Sequence, residues 1–157
     1  MVSAYAAVAS VVDPEIRVVT IEELGILRDV AEDETTGRVT VTITPTYSGC
    51  PAMDVIRADI RAALAHAGFL NVAVETVLRP AWSTDLISQR GRDKLAAAGI
   101  APPAATRDGV VALRLAVTCP RCGSHDTEEI SRFGSTACKA LWRCRSCAEP
   151  FDHVKPL

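Results

Sequence analysis

Four cysteines in two tight pairs constrain this chain more than any other feature. "CPRC" separates Cys119 from Cys122 by two residues, "CRSC" does the same for Cys144 and Cys147, and 21 residues lie between the pairs. Each C-x-x-C knuckle turns two sulfurs towards one point, and two knuckles complete a tetrahedron around a cation. The stretch between them ("DTEEISRF", "GSTA", "CKALWR") reads as a hairpin with a glycine-containing turn, so the spacing predicts a zinc ribbon within residues 106–157. A ribbon of that size buries too little apolar surface to fold unaided. Structural zinc contributes roughly 10–16 kcal/mol of apparent binding energy in zinc-finger peptides, enough to order it. One structural zinc per chain is therefore expected, in a closed site with no position for substrate. Four thiolates also accept an iron–sulfur cluster, so ligand type alone leaves zinc and iron both open.

The rest of the cysteine chemistry follows from the compartment. The apolar start, "MVSAYAAVASVVDPEI", lacks a positively charged segment and ends in an acidic turn, which predicts a first helix rather than a signal peptide. Six cysteines without an export signal argue for metal ligands in a reducing cytoplasm rather than for a disulfide framework. No run approaches the roughly 18 apolar residues that a membrane span needs. A formal net charge of −2 gives no global field for nucleic acid or anionic lipid. From Cys119 onward, six basic residues face five acidic ones, with no basic stripe to neutralise phosphates. A protein partner is expected instead, with Phe133, Trp142 and Phe151 as its contacts or, alternatively, as the core of the ribbon. Cys138 has no vacancy in a tetrahedral site and reads as a small buried hydrophobe, an alternative ligand or a redox-active thiol. His125 and His153 read as surface residues.

The region before the ribbon predicts an α+β domain over residues 1–105, a small mixed sheet packed by helices. Residues 3–12 form an Ala- and Val-rich helix stopped by "DPE". "TIEELGIL" fits either a helical turn or a loop entering a strand. Ile26 to Thr44 suggests a hairpin with "EDETTGR" as its turn. Val39, Val41 and Ile43 alternate with Thr40, Thr42 and Thr44, and Pro45 ends the strand because it cannot donate to the ladder. Residues 51–67 carry an apolar stripe at Ile56, Ile60, Leu64 and Ala67, with Gly68 as terminator. "LNVAVETVL" reads as a third strand and residues 83–98 as a further helix that contains Gly91. "GIAPPAATRDG", residues 99–109, is the linker candidate.

Cys50 stands apart from the other five cysteines, where the alternating strand gives way to the helical stripe. Pro51 suits the first position of a helix, which puts Cys50 at or beside the N-cap. Free N–H groups and the positive end of the helix dipole there favour a thiolate. Such a cysteine is either reactive and able to bind a soft metal, or an inert filler at a strand-to-helix turn. "DPEIR" carries Asp13 and Glu15 close together, where Asp13 also fits a simple cap. Combined with Cys50 and Thr46, it would make a metal-friendly pocket at one end of the sheet.

"DPEIRVVTIEELGILRDV", "VTITPTYSGCP" and "RPAWSTDLISQRGRDKLAAAGI" resemble the SufT-like iron–sulfur assembly family. With "CPRCGS", "FGSTACKALWRC" and "CAEPFDHVKP" added, the whole chain resembles the PaaD family of phenylacetyl-CoA ring epoxidase accessory subunits. That resemblance implies a non-catalytic maturation role, in which iron or an iron–sulfur cluster is held transiently and passed to the oxygenase or reductase subunits of the epoxidase. It carries Asp13, Glu15, Thr46 and Cys50 over as the functional site, and it covers Trp82 and Arg92 without a chemical role for either. Since one thiolate cannot hold a cluster alone, a homodimer or a client complex is implied. The alternatives are a direct component of the epoxidase, such as a thiol-redox catalyst, and a structural adaptor with an inert Cys50.

Overall fold

The computed structural model of the protein describes residues 2–47, 49–103 and 117–156. The chain forms two compact units, Met1–Trp82 with Leu86–Ser88, and Ser83–Asp85 with Gln89–Leu157. The boundary expected near residue 105 lies outside the described residues.

In the first unit, helix α1 (Ala4–Ala9) is capped by the Ser3 hydroxyl, which accepts from the Ala6 N–H at 3.2 Å. It ends sooner than its composition suggests, because Val12 leaves to bridge Thr20. The ambiguous "TIEELGIL" is a turn that leads into a strand. Its Thr20 and Glu23 cap each other reciprocally, Glu23 Oε2 accepting from the Thr20 N–H at 2.9 Å and Thr20 Oγ1 from the Glu23 N–H at 3.2 Å. Strands β1 (Leu27–Asp33) and β2 (Arg38–Ile43) form the antiparallel hairpin, and β3 (Val72–Thr76) pairs parallel to β2, in the order β1-β2-β3. The alternation in β2 works as its period demands: Val39, Val41 and Ile43 are buried beneath the sheet.

Helix α2 (Ala52–His66) makes the crossover from β2 to β3. Its stripe residues Ile56, Ile60 and Leu64 are fully buried, each worth about 1.5–3 kcal/mol relative to exposure. The helix closes in a Schellman motif. The Phe69 N–H donates to Leu64 O, the Gly68 N–H to Ala65 O, and Gly68 takes φ +95°. This crossover fixes the start of α2 beyond the carboxyl end of β2, the end of an open sheet where ligand sites gather.

Residues 83–98 are not one helix. A single 3-10 turn at Thr84–Leu86 precedes α3 (Gln89–Ala97), and the Ser88 N–H between them is drawn to Glu23 O at 2.9 Å. The backbone at Leu86 passes so close to Gly25 that a Cβ there would lie 2.5 Å from the Leu86 Cβ. Trp82 donates its indole N–H to Leu24 O at 2.8 Å, and Arg92 donates to Thr84 O and Pro103 O. Both residues hold backbone in place.

The second unit contains a sheet in the order β4-β7-β6-β5, made of β4 (Ile100–Ala101), β5 (Thr127–Ser131), β6 (Lys139–Cys144) and β7 (Pro150–Val154). The hairpin read from the sequence is β5–β6; β7 adds an antiparallel third strand and β4 a short parallel fourth. Two residues of the linker candidate are therefore strand, and residues 104–109 lie outside the described set. Ala101, Cys119, Ala140, Trp142, Cys144 and Phe151 pack as one core cluster. His153 joins that interior, only 8% exposed and edge-on to Trp142 at 5.8 Å, which corrects the surface placement expected for it. Burial holds its pKa down at about 4. Among the described residues no helix is long and apolar enough to cross a membrane.

Candidate metal centre and thiol site

The sulfurs of Cys119, Cys122, Cys144 and Cys147 all lie within 4.8 Å of one another. Cys119 Sγ is 3.8 Å from Cys147 Sγ, and Cys122 Sγ is 3.6 Å from Cys144 Sγ. Tetrahedral zinc with Zn–S of about 2.3 Å requires S···S separations of about 3.8 Å, so the four thiols match the size of a metal tetrahedron. The two knuckles are built alike: Gly123 (φ +75°) follows the second cysteine of one, and Ala148 (φ +63°) that of the other, both left-handed. These turns aim backbone N–H groups at sulfur. The Cys147 N–H foremost lowers Cys144 to about 6. Cys122 is pushed up to about 12, since the Ser124 N–H pulls it down less than crowding by Cys144, burial and the other two thiols raises it. Four sulfurs this close ionise together only around a cation. His125 is exposed, with Thr118 Oγ1 3.2 Å from its Nδ1, and neither it nor His153 belongs to the ligand set. Cys138 is half-buried with its sulfur 3.1 Å from Thr136 Oγ1, outside the tetrahedron.

The second constellation lies in the first unit, between β2 and α2. Tyr47 to Cys50 make a tight turn, with the Cys50 N–H donating to Tyr47 O at 3.3 Å and Gly49 at φ +84°. That left-handed position is where the turn requires glycine. Pro51 caps α2, so Cys50 sits just outside the helix start, as its sequence neighbours suggested. The Ala52 N–H donates to the sulfur, and so does the Tyr47 phenol.

Asp13 and Glu15 reach the same thiol electrostatically. Asp13 is 5% exposed, and its Oδ1 accepts from the N–H of Glu15 (2.9 Å) and of Ile16 (2.6 Å), which folds "DPEI" into a turn. Both carboxylates act on Cys50 by raising its pKa, adding to burial, the largest cause; the Ala52 N–H and the Tyr47 hydroxyl oppose them without prevailing. The metal-free protein thus holds Cys50 as a thiol, which corrects the thiolate expected from the helix N-terminus. The helix end contributes as anticipated, but burial and two negative neighbours outweigh it.

Three of the four site residues read from the sequence are therefore coupled: Asp13, Glu15 and Cys50. Thr46 is half-buried in the same connection and makes no hydrogen bond among the described residues. Tyr47 is the member that sequence reasoning passed over. Its signal was the Tyr-x-Gly-Cys turn, which returns residue i+3 towards residue i.

Residues 3–78 match the model of the iron–sulfur cluster assembly protein family, and residues 104–155 that of the PaaD zinc beta ribbon domain. The chain is 47% identical over 151 residues to the D component of the "Putative 1,2-phenylacetyl-CoA epoxidase" of Escherichia coli, spanning 96% of this chain and 90% of that one. It is 37% identical over 83 residues to an Fe-S protein maturation auxiliary factor of Porphyromonas gingivalis, across 51% of this chain and 75% of the relative. In three dimensions it is similar to the crystal structure of a DUF59 domain from Bacillus anthracis, with a TM-score of 0.54 and 33% identity. That likeness covers 59% of this chain and 87% of the solved one.

Proposed function

The chain belongs to the PaaD family of phenylacetyl-CoA epoxidase subunits, and from that premise we propose that it is a cytoplasmic accessory protein that delivers iron or an iron–sulfur cluster to the epoxidase. The observation that carries this reading is the convergence of Asp13 and Glu15 on Cys50. The name of the Porphyromonas gingivalis relative as an Fe-S protein maturation auxiliary factor supports it.

The chemistry follows from the residues. Without cargo, two carboxylates beside a thiol keep the proton on sulfur. Arriving iron is attracted by the carboxylate oxygens, and its positive charge reverses their effect on the thiol. The proton leaves to water, sulfur bonds to iron, and the Ala52 N–H and Tyr47 hydroxyl stabilise the bound thiolate. Release needs only a client thiolate or carboxylate to exchange for Cys50. A site with few ligands from one chain is suited to passing its cargo on, and a partner subunit or second protomer completes the set while it is held. The same raised thiol counts against a thiol-redox catalyst, which needs a depressed pKa.

In the ribbon, Cys119, Cys122, Cys144 and Cys147 hold zinc, which supplies folding free energy and takes no part in transfer. Oxygenase or reductase subunits of the epoxidase are the clients. Cys50→Ser is expected to leave the fold and zinc content intact, while epoxidase purified from the variant strain lacks iron or cluster. Fully loaded, active epoxidase from that strain would refute the proposal.

A further inference from the structure

The three aromatic side chains of the ribbon have different fates. Trp142 and Phe151 are core, at 9% and 5% exposure, whereas Phe133 is 74% exposed. Ile130, half exposed at 51%, sits at the register shift of β5 between Glu129 and Ser131, three residues before Phe133. Two exposed apolar groups three residues apart in sequence, one of them an aromatic ring, are candidate anchors of a contact surface on a small module.

The charges beside them indicate what would cover the surface. Lys155 Nζ lies over the Phe133 ring, 5.1 Å from its centroid, and donates to Arg132 O at 3.2 Å, which ties the ammonium to this spot. Arg132 is exposed, and among the described residues neither it nor Lys155 has a carboxylate within ion-pair distance. Two of the neighbouring acids are already engaged, while Glu129, exposed beside Ile130, makes no ion pair with either cation. Glu128 is held by Arg143 and Arg145, and Asp152 by Lys139 at 3.1 Å and Ser135 at 2.9 Å. Glu129 sits across from Trp142 on the adjacent register position. A chain of net charge −2 thus carries a local apolar spot edged by two uncompensated cations.

We propose that Phe133, with Ile130, Arg132 and Lys155, is the docking point of the ribbon for an epoxidase subunit, which presents an apolar side chain flanked by carboxylates. This rests on the reading that epoxidase subunits are the clients. The aromatic group supplies the desolvated anchor, while the cations set orientation and encounter rate. Two cations and one ring make too few phosphate contacts for a nucleic-acid site.

The test uses the full-length, zinc-loaded protein. Its binding to purified oxygenase and reductase subunits, and to poly(U) RNA, is measured at low and high salt for wild type, Phe133→Ser and the double variant Arg132→Glu with Lys155→Glu. The expected result is that wild type binds one subunit more weakly as salt rises. Each variant then binds it at least about tenfold more weakly with zinc content unchanged. The double variant, altered only at polar surface groups, keeps the test valid if Phe133→Ser folds poorly. Variants that bind the subunit like wild type, salt-independent binding, or a loss confined to poly(U) would each overturn the docking point alone. Wild type that binds neither subunit would overturn the client assignment together with it.

Discussion

Cys50 shows how far a single residue can be read without its surroundings. Its neighbours in sequence, Gly49 and Pro51, locate it at a helix start, and that location is correct. The ionisation state drawn from it is not, because burial and the approach of Asp13 and Glu15 are tertiary facts that outweigh one helix end. The acidic turn was legible as a pair of carboxylates, but nothing in "DPEIR" says which thiol it faces. The sign of the coupling gives a distinctive prediction. Glu15→Gln removes a charge that raises the Cys50 pKa, so alkylation of Cys50 at neutral pH should become faster. Binding of ferrous iron by the same variant should become weaker, since an oxygen ligand of full charge is lost. Mass spectrometry of the Cys50 peptide with a thiol alkylator, alongside an anaerobic iron titration, reads both. Unchanged alkylation with unchanged iron binding would mean that Glu15 does not act on this thiol.

At the scale of elements, period and punctuation carried most of the first unit. The Val-Thr alternation in β2 and the apolar stripe of α2 follow from geometry alone; Val39, Val41, Ile43, Ile56, Ile60 and Leu64 bury as their spacing requires, while Ala67, at the C-cap, is only half-buried. What stayed hidden were elements whose pattern depends on a partner. Strand β7 begins on a proline and β4 is two residues long, so neither has a periodicity to read. His153 was misplaced for the same reason: without β7, nothing marked it as facing Trp142. Its depressed pKa has a definite consequence. The folded protein binds this proton only near pH 4, whereas the unfolded chain binds it from about pH 6.5. Between those values unfolding takes up a proton, so the contribution of His153 is favourable above the range and is lost as pH falls through it. The stability advantage of wild type over His153→Gln should shrink by about 2 kcal/mol between pH 7.5 and 5. Denaturant unfolding of both proteins at the two pH values checks this, and a pH-independent difference would show that His153 titrates normally.

The whole molecule joins two units that are stable for different reasons. The first buries the apolar faces of β2 and α2; the second has a small core and four sulfurs at metal-tetrahedron spacing. Removing the metal should therefore separate them. A strong chelator is expected to abolish amide protection in β5 to β7 while the interior of α2 keeps its protection, as read by hydrogen exchange with mass spectrometry. Full protection of β5 to β7 without metal would make the cysteines dispensable for folding. The metal tetrahedron could be read from spacing because ligand chemistry is local. The proposed thiol site could not be read alone, since Asp13 and Cys50 are 37 residues apart and act on one another only in the folded chain.

The central claim is that Cys50, served by Asp13 and Glu15, hands iron to a client. Its most direct test loads wild type and Cys50→Ser anaerobically with radiolabelled ferrous iron, removes unbound metal, and follows the label into metal-free epoxidase subunits. The account predicts transfer from wild type and from Cys138→Ser, and none from Cys50→Ser at equal zinc content. Equal transfer from Cys50→Ser and wild type would contradict it.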